Sequence, residues 1–308
     1  MPELPEVTTT VNGLQKVLPG LVIVDAWTDL AKENPIKQFK NTVKDATFFK
    51  KFKKEIVGQK VVNVERRAKN ILINLSSNQT ILVHMKMTGH MIWGNYVYDK
   101  KKNLWLPHSD EREALHDPYN RFLHVVISFG NEKQLVLCDS RKFAKVTLID
   151  TQTMHQTVHL EGIGPEPLAK DFTFLKFKER LLSKNNAIKT VLMNQEVIAG
   201  IGNIYSDEML WLASIHPESH PAHVSLSQSK LLYTSMLHVL KKGIDFGGDS
   251  MSDYRDIDGK PGQFQNQHNV YRKTGEPCSK RSCSGTILRK VINGRSAHFC
   301  DTHQKCYN

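Results

Sequence analysis

Residues 278–303 read CSKRSCSGTILRKVINGRSAHFCDTH. Cys278 and Cys283 form one close pair, Cys300 and His303 a second, and 16 residues separate the pairs. Zinc takes four sulfur or nitrogen donors in a tetrahedron, and two close-spaced pairs on adjacent turns supply that geometry. Between the pairs, two β-prone runs flank Asn293-Gly294, a dipeptide that favours a two-residue hairpin turn. The stretch therefore predicts a zinc β-hairpin, with the metal replacing the core that a unit of ~30 residues cannot build. Cys306 is a rival for the fourth ligand position. A closed four-ligand site holds structure and takes no part in chemistry. Arg295, beside the turn, is then a cation displayed on a small rigid support.

Four of the five cysteines fall in the last 31 residues, and the fifth, Cys138, sits in an apolar run that reads as core. No basic, apolar leader opens the chain, because Glu3 and Glu6 are acidic, so a metal site is favoured over a disulfide framework. No apolar run approaches the ~20 residues that a bilayer crossing needs. With 308 residues the chain is long enough for two or three domains. Its 42 Lys plus Arg against 31 Asp plus Glu leave a net charge of +11, which favours an anionic partner, nucleic acid before membrane. The expected compartment is the cytoplasm.

Upstream of the cysteines, DSMSDYRDIDGKPGQFQNQHN is polar, turn-rich and mobile in character. Before it, from about residue 153, FLKFKERLLSKNNAIKTVLMNQ, SDEMLWLASI and SLSQSKLLYTSMLHVLKKGIDF carry helical spacing. Earlier still, LVIVDAW, KVVNVERR, NILINLSS, TILVHMKM, HVVISF, QLVLCDS and AKVTLID read as strands of an antiparallel sandwich or barrel. A polar stretch at 95–120 looks like an insertion on this β layer. TTTVNGLQKVLPG suits an amphipathic helix ended by Pro19-Gly20. The expected fold is α+β: a β-sandwich with flanking helices over 1–152, a helical domain over 153–267 and a zinc module over 268–308.

The first residues, MPELPEV, admit two readings. One is a solvated tail leading into a helix. The other is chemical: removal of Met1 would expose a secondary amine on Pro2. A terminal amine has a pKa of ~8 against ~10.4 for lysine, so far more of it is neutral and nucleophilic near neutral pH.

Three stretches in order, MPELPEV, then NQEVIAGIGNIYSDE at 194–208, then GEPC with GRSAHFCDTHQ, resemble the Fpg/Nei family of DNA glycosylases, and the Fpg branch most. The resemblance implies a β-sandwich, a helix–two-turn–helix domain, one structural Zn2+ and a base-excision repair activity on duplex DNA. It also implies base flipping, attack of Pro2 on C1′, a Schiff base and elimination of the 3′ and then 5′ phosphates. Glu3 matches the family's general acid, and Glu6 a second carboxylate that could equally hold the amine end. Lys69 matches the lysine that contacts phosphate and assists elimination. Asn203 and Arg295 match phosphate-gripping residues, and Lys184 and Lys189 fall where the family has DNA-facing lysines. Met87, Arg141 and Phe143 match the trio that fills the hole left by the everted base. On residue type alone, Met87 and Phe143 read as core and the lysines as solvated surface.

DGKPGQF at 258–264 resembles the loop that closes over an oxidised purine, which favours formamidopyrimidine and 8-oxoguanine over oxidised pyrimidines. A pyrimidine-preferring glycosylase and an inactive damaged-DNA binder are the competing expectations. A monomer is expected. Ser140 stands where the family has proline, Phe122 where it has a histidine (His124 is kept), and His303 where it has a cysteine.

Overall fold

The computed structural model describes residues 1–308, apart from the side chain of Gln38. The seven strand-like runs all become strands: β1 (Ile23–Thr28), β2 (Val61–Arg67), β3 (Asn70–Leu75), β4 (Gln79–His84), β8 (Leu123–Phe129), β9 (Gln134–Cys138) and β10 (Lys145–Asp150). Three further strands were not anticipated: β5 (His90–Gly94), β6 (Tyr96–Asp99) and β7 (Leu104–Pro107). Two antiparallel sheets result, ordered β1-β8-β9-β5 and β10-β4-β3-β2, and β6 pairs only with β7.

The pattern of burial explains why these runs pair. A bulge between Val61 and Asn63 lets Val61 and Val64 both face inward while Val62 stays exposed. Inward residues of both sheets, among them Val64, Ile71, Ile81, Val125, Leu135 and Leu137, share one core cluster. Each such side chain contributes roughly 1.5–3 kcal/mol by leaving water. Two helices close that core: α1 (Leu4–Val17) through Val7, Val11 and Leu14, and α2 (Ala46–Ile56) through Phe52 and Ile56. Asp45 caps α2 by accepting from the N–H groups of Thr47 (3.0 Å) and Phe48 (3.3 Å).

The helical half contains α3 (Phe174–Leu182), α4 (Ile188–Met193), α5 (Asn203–Leu212) and α6 (Leu226–Asp245) around a second core built on Phe177, Leu192, Tyr205 and Leu240. The predicted hairpin is present as β11 (Ile287–Ile292) and β12 (Arg295–Cys300), with Asn293 and Gly294 both at positive φ in its turn. Contacts divide the chain into two compact units, Met1–Glu161 with Phe246–Gln263, and Gly162–Asp245 with Phe264–Asn308. The hairpin thus belongs to the helical unit, and the polar segment 246–263 packs with the β unit. Within that segment Gln263 donates its N–H to the Phe246 carbonyl at 2.8 Å, so its two ends meet. Gly262 passes so close that a Cβ there would lie 2.2 Å from the Gly248 carbonyl. No described helix is long and apolar enough to cross a membrane.

Candidate functional site

The amino-terminal residues are not a solvated tail. Pro2 is buried, and Glu3 and Glu6 are 2 % and 1 % exposed. Helix α1 starts at Leu4, earlier than apolar spacing suggests. Pro5 lies in the first turn, where its missing N–H costs nothing, and Glu3 and Glu6 form a capping box. Glu6 Oε2 accepts the Glu3 N–H at 2.6 Å, and its Oε1 accepts the Asp249 N–H at 2.7 Å. The Tyr254 hydroxyl donates to the Glu6 carbonyl at 3.0 Å. Gly248, at φ +86°, leaves only 2.8 Å between a would-be Cβ and Glu6 Cγ. One carboxylate therefore fixes the start of the chain against residues 248–249. Both oxygens of the Glu6 carboxylate are engaged with backbone N–H groups, which suits the amine-holding alternative left open for it.

Lys69 occupies the β2–β3 turn beside Ala68, which sits at φ +52°, and is only 6 % exposed. It lies close enough to His84 to act on its titration. Burial, then Lys86, then Lys69 hold the His84 imidazole down to about 3, so it is neutral near pH 7.

Met87, Arg141 and Phe143 come together and point outward. Met87 is 38 % and Phe143 48 % exposed, which overturns the reading of either as core. The Arg141 guanidinium lies over the Phe143 ring at 4.7 Å. Asp139, a residue the sequence did not mark, organises them. Buried at 1 % exposure, it accepts from the Thr88 hydroxyl and from the N–H groups of Arg141 (3.3 Å) and Ala144 (2.6 Å). Thr88 Oγ1 in turn accepts the Arg141 N–H at 3.2 Å, joining the Met87 turn to the Arg141–Phe143 loop. Met87 and Phe143 line a cavity of about 450 Å³ with Lys44, Lys86 and Lys145 on its walls. Burial, followed by the field of Lys86, lowers the Lys145 pKa.

The remaining site residues lie in the helical unit. Asn203 opens α5 with its Oδ1 buried and lacking a partner. Gln195, another unmarked residue, staples the preceding loop: its Oε1 accepts the Gly200 N–H and its Nε2 donates to the Ile201 carbonyl, both at 2.8 Å. Arg295 is exposed at the start of β12. Lys184 is also exposed and pairs with Glu196 at 3.1 Å.

Lys189 corrects the expectation of a DNA-facing lysine. It is 1 % exposed, ion-paired with Asp207, and donates to the Ser296 carbonyl at 3.0 Å. Asp207 Oδ2 also accepts from the His298 N–H at 2.9 Å, so the network ties α4, α5 and β12 together. Burying an ammonium is tolerable only beside such a partner. Lys189→Met removes one charge and leaves the other buried. It is expected to cost about 3–5 kcal/mol of stability, read as a lowered thermal midpoint. Lys184→Ala should stay within about 0.5 kcal/mol.

Cys278, Cys283, Cys300 and His303 converge, with their ligand atoms all within 4.8 Å of one another. Cys283 and Cys300 sulfurs are 3.6 Å apart, and His303 Nδ1 is 3.4 Å from Cys278 Sγ and 3.8 Å from Cys283 Sγ. Tetrahedral zinc at ordinary bond lengths needs about 3.8 Å between sulfurs and about 3.5 Å between sulfur and nitrogen. The donor set fits. His303 Nε2 lies 3.1 Å from the Trp211 carbonyl, which selects the tautomer that leaves Nδ1 free to coordinate. A Cβ at Gly285 would fall 2.5 Å from Cys300 Sγ, so the cradle also requires glycine. Cys306 is exposed and stands outside the group.

Comparison with known proteins agrees with this geometry. Residues 1–146 match the Formamidopyrimidine-DNA glycosylase N-terminal domain, and residues 163–255 match the Formamidopyrimidine-DNA glycosylase H2TH domain. The chain is 36 % identical to the formamidopyrimidine-DNA glycosylase of Chloroflexus aurantiacus, over 99 % of this chain and 98 % of the relative. It is 34 % identical to that of Pelotomaculum thermopropionicum, over 99 % of each. Among solved structures, Lactococcus lactis Fpg in complex with abasic-site DNA superposes at a TM-score of 0.79 with 32 % identity, covering 97 % of both chains. The same protein bound to Fapy-dG DNA matches at 0.77 with 31 % identity, covering 97 % of this chain and 98 % of that one. With full-length relatives above 30 % identity and both domains matched in order, the chain belongs to the formamidopyrimidine-DNA glycosylase family.

Proposed function

We propose that this protein is a bifunctional DNA glycosylase and abasic-site lyase that removes oxidised purines from duplex DNA. The observation that carries the reading is the buried, double-anchored amino terminus, in which Glu6 fixes Glu3 beside Pro2. A solvated tail would need none of these contacts.

Once Met1 is removed, the Pro2 nitrogen is a secondary amine able to attack C1′ of an everted nucleotide. The N–C1′ bond forms as the glycosidic bond breaks, and the base leaves as its protonated form. Glu3 donates a proton to the sugar ring oxygen, which opens the ring and leaves a positively charged iminium. That iminium acidifies the C2′ hydrogens. Loss of one expels the 3′ phosphate, a further elimination expels the 5′ phosphate, and water releases Pro2. Lys69, in the β2–β3 turn, neutralises phosphate charge. Eversion costs a few kcal/mol, offset by Met87, Arg141 and Phe143, whose outward aim suits filling the hole and meeting the orphaned cytosine.

Asn203, Arg295 and Lys184 grip the backbone. Cys278, Cys283, Cys300 and His303 hold a structural Zn2+, which stiffens the support of Arg295 and performs no chemistry. The functional territories are 1–152 (catalytic β-sandwich), 153–267 (helix–two-turn–helix with the recognition loop) and 268–308 (zinc finger). They cut across the compact units because 246–263 packs with the first. The protein acts as a monomer in the cytoplasm.

Borohydride trapping tests the reading on duplexes carrying 8-oxoguanine opposite cytosine, thymine glycol, or an abasic site. The expected result is a covalent adduct with the first and third. No adduct with any duplex would reduce the protein to a binder, and an adduct only with thymine glycol would reassign its lesion.

A further inference from the structure

The segment at 95–120, which the mechanism does not use, is bonded to residues 252–260 along most of its second half. Arg112 donates through Nε to the Asp258 carbonyl at 3.0 Å and pairs through Nη2 with the Asp258 carboxylate at 3.1 Å. Asp117 pairs with Arg255 at 3.3 Å, and Arg255 is only 5 % exposed, with its guanidinium 4.4 Å over the Tyr119 ring. The same Arg255 donates to the carbonyls of Ser252 (3.0 Å) and Tyr254 (2.8 Å). Asn120 is 2 % exposed and donates to the Gly259 carbonyl at 3.3 Å, with its Oδ1 held 2.8 Å from His90 Nε2. Gly259, at φ +79°, comes so near the insertion that a Cβ would lie 2.7 Å from the Ala114 carbonyl. Ser140, where the family has proline, adds a bond to Asp253 at 2.9 Å that proline could not make.

We infer that the 95–120 insertion is a brace for lesion recognition, in which Arg112, Asp117 and Asn120 are positioning residues that fix segment 252–260 and thereby the start of the base-covering loop at 258–264. The inference rests on the reading of 258–264, which this segment leads into and overlaps at 258–260, as the loop over the oxidised purine. Buried, multiply bonded side chains aimed at backbone carbonyls fix main-chain conformation, and a loop that recognises a base through its backbone needs its conformation fixed beforehand. The brace matters while a damaged base is still attached. Once the base is gone, the lyase steps run on Pro2, Glu3 and Lys69.

Asp117→Asn is the informative variant. Asparagine can still accept from the Tyr119 N–H, which Asp117 caps at 2.8 Å, while the charge facing Arg255 is lost. Single-turnover excision of 8-oxoguanine is expected to fall by ~10-fold or more, with cleavage of a preformed abasic site unchanged within ~2-fold. Asp117→Glu should restore much of the excision rate. Arg112→Lys, which keeps the charge but loses the fork, serves as the second variant should Asp117→Asn fail to fold, and is expected to show the same split. An equal loss on both substrates with a lowered thermal midpoint would make the insertion merely structural and overturn the proposal. So would unchanged rates on both. Failure of the functional reading itself is distinct: the unaltered protein would then give no trapped adduct with abasic DNA.

Discussion

Protein that retains Met1, or carries any acyl group on Pro2, is expected to lose at least about 10³-fold of its lesion-cleaving rate and all of its borohydride-trapped adduct, while still binding abasic-analogue DNA. The reason is electronic. An acylated Pro2 nitrogen is a tertiary amide with its lone pair delocalised, whereas the freed residue is a secondary amine. Lysines cannot substitute efficiently, because at neutral pH they are almost wholly protonated unless burial lowers their pKa. Mass spectrometry of the reduced crosslink checks the claim at one residue. An adduct on Lys69, or full activity from blocked protein, would defeat it. Pro2→Gly is a useful companion, since it keeps a terminal amine but removes the ring that fixes its direction.

The second large effect concerns the metal. Stripping it with a chelator, or replacing Cys300 by Ser, is expected to melt the 278–303 hairpin. Structural zinc contributes on the order of 10 kcal/mol to modules of this size. Hydrogen exchange across β11 and β12 should rise to the unprotected limit, while β3 and β4 keep their protection. DNA affinity should fall with the hairpin, and the slope of log affinity against log salt should drop by about one, the share of a single phosphate contact such as Arg295. Protection that survives metal removal would show that the Lys189–Asp207–His298 network alone holds the hairpin, and would sink the prediction.

What could be read from residues alone follows the range of the interactions involved. The seven strand-like runs and the Asn293-Gly294 hairpin announce themselves because periodicity and turn chemistry act over a few positions. The four donors that could hold a metal were legible for the same reason, and the structure groups His303 rather than Cys306 with the three cysteines. β5 was hidden because its five residues, His90–Gly94, follow directly on the Thr88-Gly89 turn that ends the TILVHMKM run. β6 and β7 were masked by Lys100, Lys101 and Lys102 at their tip, and α2 by its lysine-rich outer face. The early start of α1 was available in principle, since Glu3 and Glu6 have the capping-box spacing.

Long-range pairings left no local trace. Nothing near Lys189 distinguishes it from a solvated lysine, because its partner Asp207 lies 18 positions away. The bond between Glu6 and Asp249 spans 243 positions. Asp139 and Gln195 had a signal only in their neighbours, a polar side chain beside a loop of unusual backbone geometry. Thus the four-donor group and the main strands could be read, while the residues that hold other residues still could not.

The meeting of Phe246 with Gln263, and of Gly248 with Gly262, gives the 246–263 segment a neck. Everything between those crossings forms a closed ring whose circumference is independent of the helix before it and the short 3₁₀ turn after it. Residues can be gained, lost or exchanged within such a ring without translating either flank. Changes of length or side chain are therefore absorbed inside the ring, except at Asp249 and Tyr254, whose bonds to Glu6 tie it to the start of α1.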